Sequence, residues 1–281
     1  MAALDLRYLF EDAEETSPDG LANYESLDFV SNGSHLYGEI LWPSKAFDKP
    51  HPCVIMLHGY PGSARNDDIS HALCRAGCVV LVPHHRGAWG SQGKYLVTHC
   101  IEDAYNLALY AHSDEFAEKY DVDKENIFLL GHSMGGNSAL NAGKKIDWLK
   151  GIIMLAPYDP TCLLDSGKEA YLTSLLNEGK ILQSDGLDSI YEDILKNREN
   201  LEFIKSFEQV QNKNILIFTA LYDSVSINEK MVRPLWKLLE ANKSKAIQKL
   251  IEYPVEHGLL GRRISVIKET GNFIKSCLEH S

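Results

Sequence analysis

A serine hydroxyl becomes a useful nucleophile only when a base can take its proton and the backbone presents it to a substrate. Gly131-His132-Ser133-Met134-Gly135 has the spacing for that presentation. Ahead of it, Ile127 to Leu130 is a short apolar run that reads as a buried strand; after it, Asn137 to Lys145 reads as a helix. A strand that turns straight into a helix strains the residue at the turn. Very small neighbours are then needed two residues to either side, and Gly131 and Gly135 supply them. The turn lifts the hydroxyl clear of the sheet edge. It also aims the helix amino terminus, with its unpaired N–H groups and dipole, at the same point.

The proton acceptor and its partner are expected later in the chain, at strand ends, in the order serine, acid, histidine. Asp223 follows the apolar run Ile215 to Ala220 and is the expected acid; Asp159, after Gly151 to Leu155, is the alternative. An aspartate in either place also suits a turn or a helix cap. His257, in Tyr253-Pro254-Val255-Glu256-His257-Gly258, is the only histidine between Asp223 and the terminal helix, and is the expected base. A developing oxyanion needs two preorganised N–H donors. One is the amide of Met134, directly after Ser133. The other falls in His58-Gly59-Tyr60-Pro61, where Pro61 has no N–H to give, so Tyr60 is the choice; its side chain is also placed against the substrate. His58 is expected to brace that loop. Tyr158 and Tyr171 are candidate substrate contacts, although apolar residues at their helical spacing equally describe a core.

The elements that must hold these residues follow from hydrophobic pattern. Leu4, Leu6, Leu9 and Phe10 suit one face of a short helix, and Glu11 to Gly20 is acidic and turn-rich. Asn32-Gly33 between two extended runs, Glu25 to Ser31 and His35 to Leu41, predicts a hairpin. Strands at Cys53 to Leu57, Cys78 to Val82, Ile127 to Leu130, Gly151 to Leu155, Ile215 to Ala220 and Ala246 to Tyr253 then alternate with helices. The helices are expected from Asn66 or Asp67 to Ala76, over Cys100 to Lys119, after Ser133, over Asn228 to Ala241, and over Arg263 to Leu278. That rhythm predicts an α/β protein with a mainly parallel sheet covered on both faces, and ligands beyond the carboxyl ends of its strands. Over 157–212 the rhythm gives way to helical patterns such as Tyr171, Leu172, Leu175 and Leu176. The organisation expected is an extension over 1–24, a core of 25–156 and 213–281, and a helical insertion of 157–212.

With 28 basic and 39 acidic residues the net charge is −11, which argues against nucleic-acid and anionic-membrane partners. No apolar run reaches spanning length, and Met1 to Glu15 lacks the pattern of a leader. Six cysteines without a C-x-x-C pair read as reduced thiols in a cytoplasmic protein, and the eleven histidines show no ligand spacing that would predict a metal. No cofactor is expected.

Together, His58-Gly59-x-Pro61-Gly62, the segment Gly131 to Gly136, Asp223 and His257 resemble the α/β-hydrolase superfamily from about Glu25 onward. The resemblance implies an eight-stranded, mainly parallel sheet, a helical cap at the 157–212 insertion, and hydrolysis through an acyl-enzyme. Ser133 stands where epoxide hydrolases and haloalkane dehalogenases carry an aspartate. Arg86-Gly87-Ala88-Trp89-Gly90-Ser91-Gln92-Gly93 is similar to a segment of small esterases and prolyl-oligopeptidase-like hydrolases, whose propeller domain has no room here. Those relatives often carry tyrosine or aspartate where this chain has His84 and His85, which are expected to pack beneath the site as satisfied polar groups.

The activity expected is hydrolysis of a small carboxylic ester by Ser133, His257 and Asp223. The same residues would serve an aminopeptidase or amidase acting on a short peptide, with Asp165, Glu169 or Asp188 holding its amino terminus, or a thioesterase. A protein that only binds ligand is the reading from another class. Self-association through Leu4 to Phe10 is left open.

Overall fold

A computed structural model of the chain describes residues 4–12, 20–175 and 178–280. Leu176 and most of the Glu11 to Gly20 stretch lie outside them. Among the described residues eight strands form one sheet: β1 (Asn23–Ser31), β2 (Ser34–Trp42), β3 (His51–Leu57), β4 (Val79–Pro83), β5 (Val122–His132), β6 (Gly151–Leu155), β7 (Ile215–Ala220) and β8 (Gln248–Tyr253). Their order across the sheet is β1-β2-β4-β3-β5-β6-β7-β8, with the β1–β2 and β2–β4 pairs antiparallel and the other pairs parallel.

Alternation along each strand builds two cores. Cys53, Ile55 and Leu57 of β3 and Ile127 and Leu129 of β5 face one layer, while Val54, Met56, Phe128 and Leu130 face the other. Because both faces are covered, β3 is buried along its whole length, which is why it reads as an unbroken apolar run. One layer holds α1 (Asp67–Arg75) and a helix near the carboxyl end, Arg263–Glu279. The other holds α2 (Val97–Ala111), α3 (Asp114–Tyr120) and α4 (Met134–Gly143). Asn32 and Gly33 both take positive φ, 46° and 78°, the mirror-image turn that matches the twist of a two-strand ribbon. The predicted amino-terminal helix is a single 3-10 turn, Leu6–Leu9, with Leu9 buried on the chain's own carboxyl-terminal helix beside Gly271.

Three predicted elements differ in detail. The helix expected over Cys100 to Lys119 is two helices, because the Ser113 hydroxyl accepts from the Phe116 amide and caps α3 afresh. Asn66 precedes α1 in a left-handed conformation and makes no side-chain cap. The Asn228 to Ala241 helix breaks at Val232, just ahead of Pro234.

Between β6 and β7 the chain forms α5 (Lys168–Leu175), α6 (Leu187–Lys196), α7 (Arg198–Leu201) and α8 (Phe207–Val210). The remaining helices are α9 (Asn228–Met231), α10 (Arg233–Ala241) and α11 (Arg263–Glu279). Polar side chains tie the β6–β7 segment to the sheet layers. Asp193 of α6 accepts from the amide and hydroxyl of Thr98, capping α2, whose own Leu96 cannot. Asn137 and Asn141 of α4 donate to the Leu201 carbonyl, and Lys144 donates to the Asn200 carbonyl. Gln183 exchanges backbone hydrogen bonds with Gly87 and Tyr95.

Asp159 closes the segment on itself. One carboxylate oxygen accepts from the amide and hydroxyl of Thr161 and the other from the Phe203 amide at 2.8 Å, all of it buried. The reserve acid is thus spent on backbone. Asp159→Ala strands the Phe203 and Thr161 amides, and urea unfolding is expected to show a loss of about 3 kcal/mol. A loss below about 0.5 kcal/mol would contradict that account.

Candidate active site

The sheet's carboxyl ends gather the predicted residues. Ser133 sits between β5 and α4 with φ 54° and ψ −119°. A Cβ on Gly131 would fall 2.0 Å from the Gly135 carbonyl oxygen, and one on Gly135 2.1 Å from that of Leu57, so both positions require glycine. Serine heading a helix ordinarily turns its hydroxyl onto an amide of the first turn; Ser133 makes no such bond, which leaves Oγ available.

Asp223 and His257 are brought together. His257 Nδ1 donates to Asp223 Oδ2 at 2.8 Å, since a carboxylate only accepts, and Nε2 is left as the acceptor. The Asp223 side chain is 1% exposed against 21% for His257. Its other oxygen accepts from the amides of Val225 and Ser226, at 2.8 and 2.7 Å. A buried carboxylate accepting from three donors is held in place, and it sets both the tautomer and the ring plane of the histidine.

The Met134 amide, at the head of α4, has no acceptor inside its own helix. Neither it nor the Tyr60 amide donates to another described residue. The loop carrying Tyr60 is held by His58, whose Nδ1 donates to the Gly59 carbonyl at 2.7 Å while its Nε2 accepts from the His85 amide at 3.1 Å. That carbonyl belongs to the same planar peptide as the Tyr60 N–H, so the bond orients the N–H as well. The β4 loop adds a second clamp: the half-exposed Trp89, at φ 50°, donates its indole N–H to the Pro61 carbonyl at 3.0 Å.

Arg86 anchors the β4 loop. Its backbone and side chain bond the fully buried Asp103 of α2 at 3.0 and 2.7 Å, and it also reaches Glu102 and the His99 carbonyl. Burial raises the Asp103 carboxyl, and Arg86 opposes that shift. Asp103 was missed in sequence; its signal is an aspartate beside the apolar stripe Ala104, Leu107, Ala108 and Ala111.

The expectation of satisfied polar groups fails for the histidine pair. His84 Nδ1 donates to the Trp89 carbonyl, but its Nε2 is buried and unpaired, and both ring nitrogens of His85 are buried without a partner. His85 instead packs edge-on against His58, ring centres 4.5 Å apart. Among the described residues no three His, Cys, Asp or Glu side chains are arranged to hold a metal ion.

The tyrosines separate. Tyr60 is partly exposed, its ring edge-on to Tyr95, and its phenol is buried without a partner against Gly179. Burial raises that phenol to about 12, with Glu178 adding to the shift. Tyr158 and Tyr171 are 3% and 1% exposed, and Tyr171 donates to the Pro160 carbonyl, so both belong to the core that supports the site. Among the carboxylates considered for an amino terminus, Asp165 is paired with Arg198 and Asp188 with Lys168.

Burial depresses a set of histidines here. His58 and His132 are each lowered to about 4, and His84 and His85 are lowered too, with burial the largest cause in all four. For His58 and His132, an unfolded chain takes up the proton near 6.5, while the folded chain holds off until near 4. The stability they contribute is therefore complete above pH 6.5 and is lost as pH falls toward 4, by about 1.4 kcal/mol per pH unit for each histidine. A denaturant midpoint well below its pH 7 value at pH 5 is the expected result; equal midpoints would contradict it.

A family profile described as serine aminopeptidase, S33, matches residues 48–163. No curated protein sequence matches the chain. Solved structures are similar throughout. Brefeldin A esterase, a bacterial homologue of human hormone sensitive lipase, superposes with TM-score 0.69 at 14% identity, over 98% of this chain and 83% of its own. The alpha/beta hydrolase GrgF of Penicillium sp. sh18 gives 0.62 at 18%, over 90% and 98%. The acylaminoacyl peptidase of Pyrococcus horikoshii gives 0.64 at 15%, over 91% of this chain and 41% of that one. At such identities the likeness establishes the fold. The sheet order and these superpositions together give the chain the α/β-hydrolase fold.

Proposed function

We propose that the protein is a serine hydrolase that cleaves carboxylic esters through an acyl-enzyme. The observations carrying this are the Ser133 hydroxyl at the head of α4, which makes no cap bond, and a buried Asp223 that holds His257 in its Nε2-accepting tautomer, with the His257 backbone tied to His132 next to Ser133. Ser133 Oγ attacks the ester carbonyl as His257 Nε2 takes its proton. Charge moves onto the carbonyl oxygen, which the Met134 and Tyr60 amides receive. His257 returns the proton to the departing alcohol, water attacks the acyl-enzyme by the same route, and the acid leaves. The 157–212 segment acts as the cap that selects acyl and alcohol groups. Six free thiols, most of them buried, support a cytoplasmic setting.

A fluorophosphonate probe should label Ser133, and a p-nitrophenyl ester series should be turned over with a preference in acyl length. The profile name favours a second reading, an aminopeptidase. Much faster turnover of aminoacyl-p-nitroanilides than of esters would establish it, and faster thioesters would make the protein a thioesterase. Failure of the folded protein to label would leave only a binding role.

A further inference from the structure

We propose that His132 is a positioning residue that sets the separation of nucleophile and base, an inference that rests on the reading of Ser133 and His257 above. Ser133 directly follows β5 and His257 follows β8, and β6 and β7 lie between those strands. Three strand spacings, about 14 Å, must be bridged by the loop after Tyr253. That loop is held largely by its own residues. The Glu256 carboxylate accepts from the amides of Gly258 and Leu260, and the Leu259 amide donates to the Glu256 carbonyl. Tyr222 and Asp223 tether it to the end of β7.

Among the described residues, its hydrogen bond to the nucleophile strand is made by one imidazole. His132 Nε2 lies 3.2 Å from the backbone oxygen of His257. A carbonyl only accepts, so His132 carries its proton on Nε2 and donates. The ring is 6% exposed and its centre lies 5.1 Å from that of His257. Ser133 and His257 are thus linked by a rigid side chain: the residue next to the nucleophile holds the main chain of the base. Asp223 fixes how the His257 ring turns; His132 fixes how far it stands from Ser133. Because burial keeps His132 neutral, it adds no positive charge beside the imidazolium that His257 becomes during turnover.

Removing the donor displaces a base whose ring Asp223 still holds through Nδ1. His132→Leu should therefore lower kcat by about ten- to a hundredfold. KM should change by less than about threefold, and the midpoint of the pH–rate profile should stay where it is. His132→Gln, whose amide nitrogen reaches about as far as imidazole Nε2, should recover most of the loss. His132→Asn, which falls short, should not. If His132→Leu fails to fold, the Gln and Asn variants alone decide. Equal activity of those two, a loss confined to KM, or wild-type kcat in His132→Leu overturns the assignment. Wild-type protein that neither labels nor turns over would end the underlying reading; active wild type with indifferent variants ends this one alone.

Discussion

Ser133→Ala is expected to abolish turnover, with kcat falling roughly a millionfold and fluorophosphonate labelling lost. The size follows from chemistry: without Oγ there is no acyl-enzyme, and His257 is left with no proton to accept. Stability should barely move. The hydroxyl makes no cap bond that would leave an amide stranded, and alanine meets the same backbone cost at φ 54° as serine does. A thermal midpoint lowered by many degrees would mean that the serine is structural. Retained turnover would mean that the nucleophile is elsewhere.

Asp223→Asn should cost about ten-thousandfold in kcat with little change in KM. An asparagine can keep its oxygen toward the Val225 and Ser226 amides, and those two bonds fix its orientation. Its NH2 then faces His257 Nδ1, which must become the acceptor. The proton moves to Nε2, the atom that has to receive one from Ser133. Geometry survives and the tautomer is wrong. Loss below about tenfold would show that another group orients His257. Asp159 offers no substitute, since its carboxylate is fully engaged by Thr161 and Phe203.

Much of this site is legible in the sequence because the chemistry constrains it locally. Glycines flank Ser133 where a Cβ would strike main chain, and β3, β5, β6 and β7 announce themselves as apolar runs because both faces are covered. What stays hidden depends on partners distant in sequence. Asp193 looks like any helix-surface carboxylate until Thr98 is beside it. The break between α2 and α3 lies inside an amphipathic stretch, and only the Ser113 cap marks it. His132 stands in the motif itself, yet nothing in its neighbours tells that the ring reaches the His257 carbonyl. The unpaired nitrogens of His85 are equally unreadable, since composition cannot show where hydrogen-bond partners are lacking.

The polar ties between α4 and the chain before Phe203 carry a consequence for cooperativity. Asn137, Asn141 and Lys144 stand on the helix that begins at Ser133, and their acceptors are Leu201 and Asn200. Opening that segment strips two asparagine donors on a buried helix face of their acceptor, so it cannot melt alone at small cost. Amide hydrogen exchange around Leu201 then reports the same cooperative unit as the nucleophile helix. The segment proposed to choose the substrate and the helix headed by the proposed nucleophile would then share one unfolding event, and sequence drift in the first would be limited by the stability of the second.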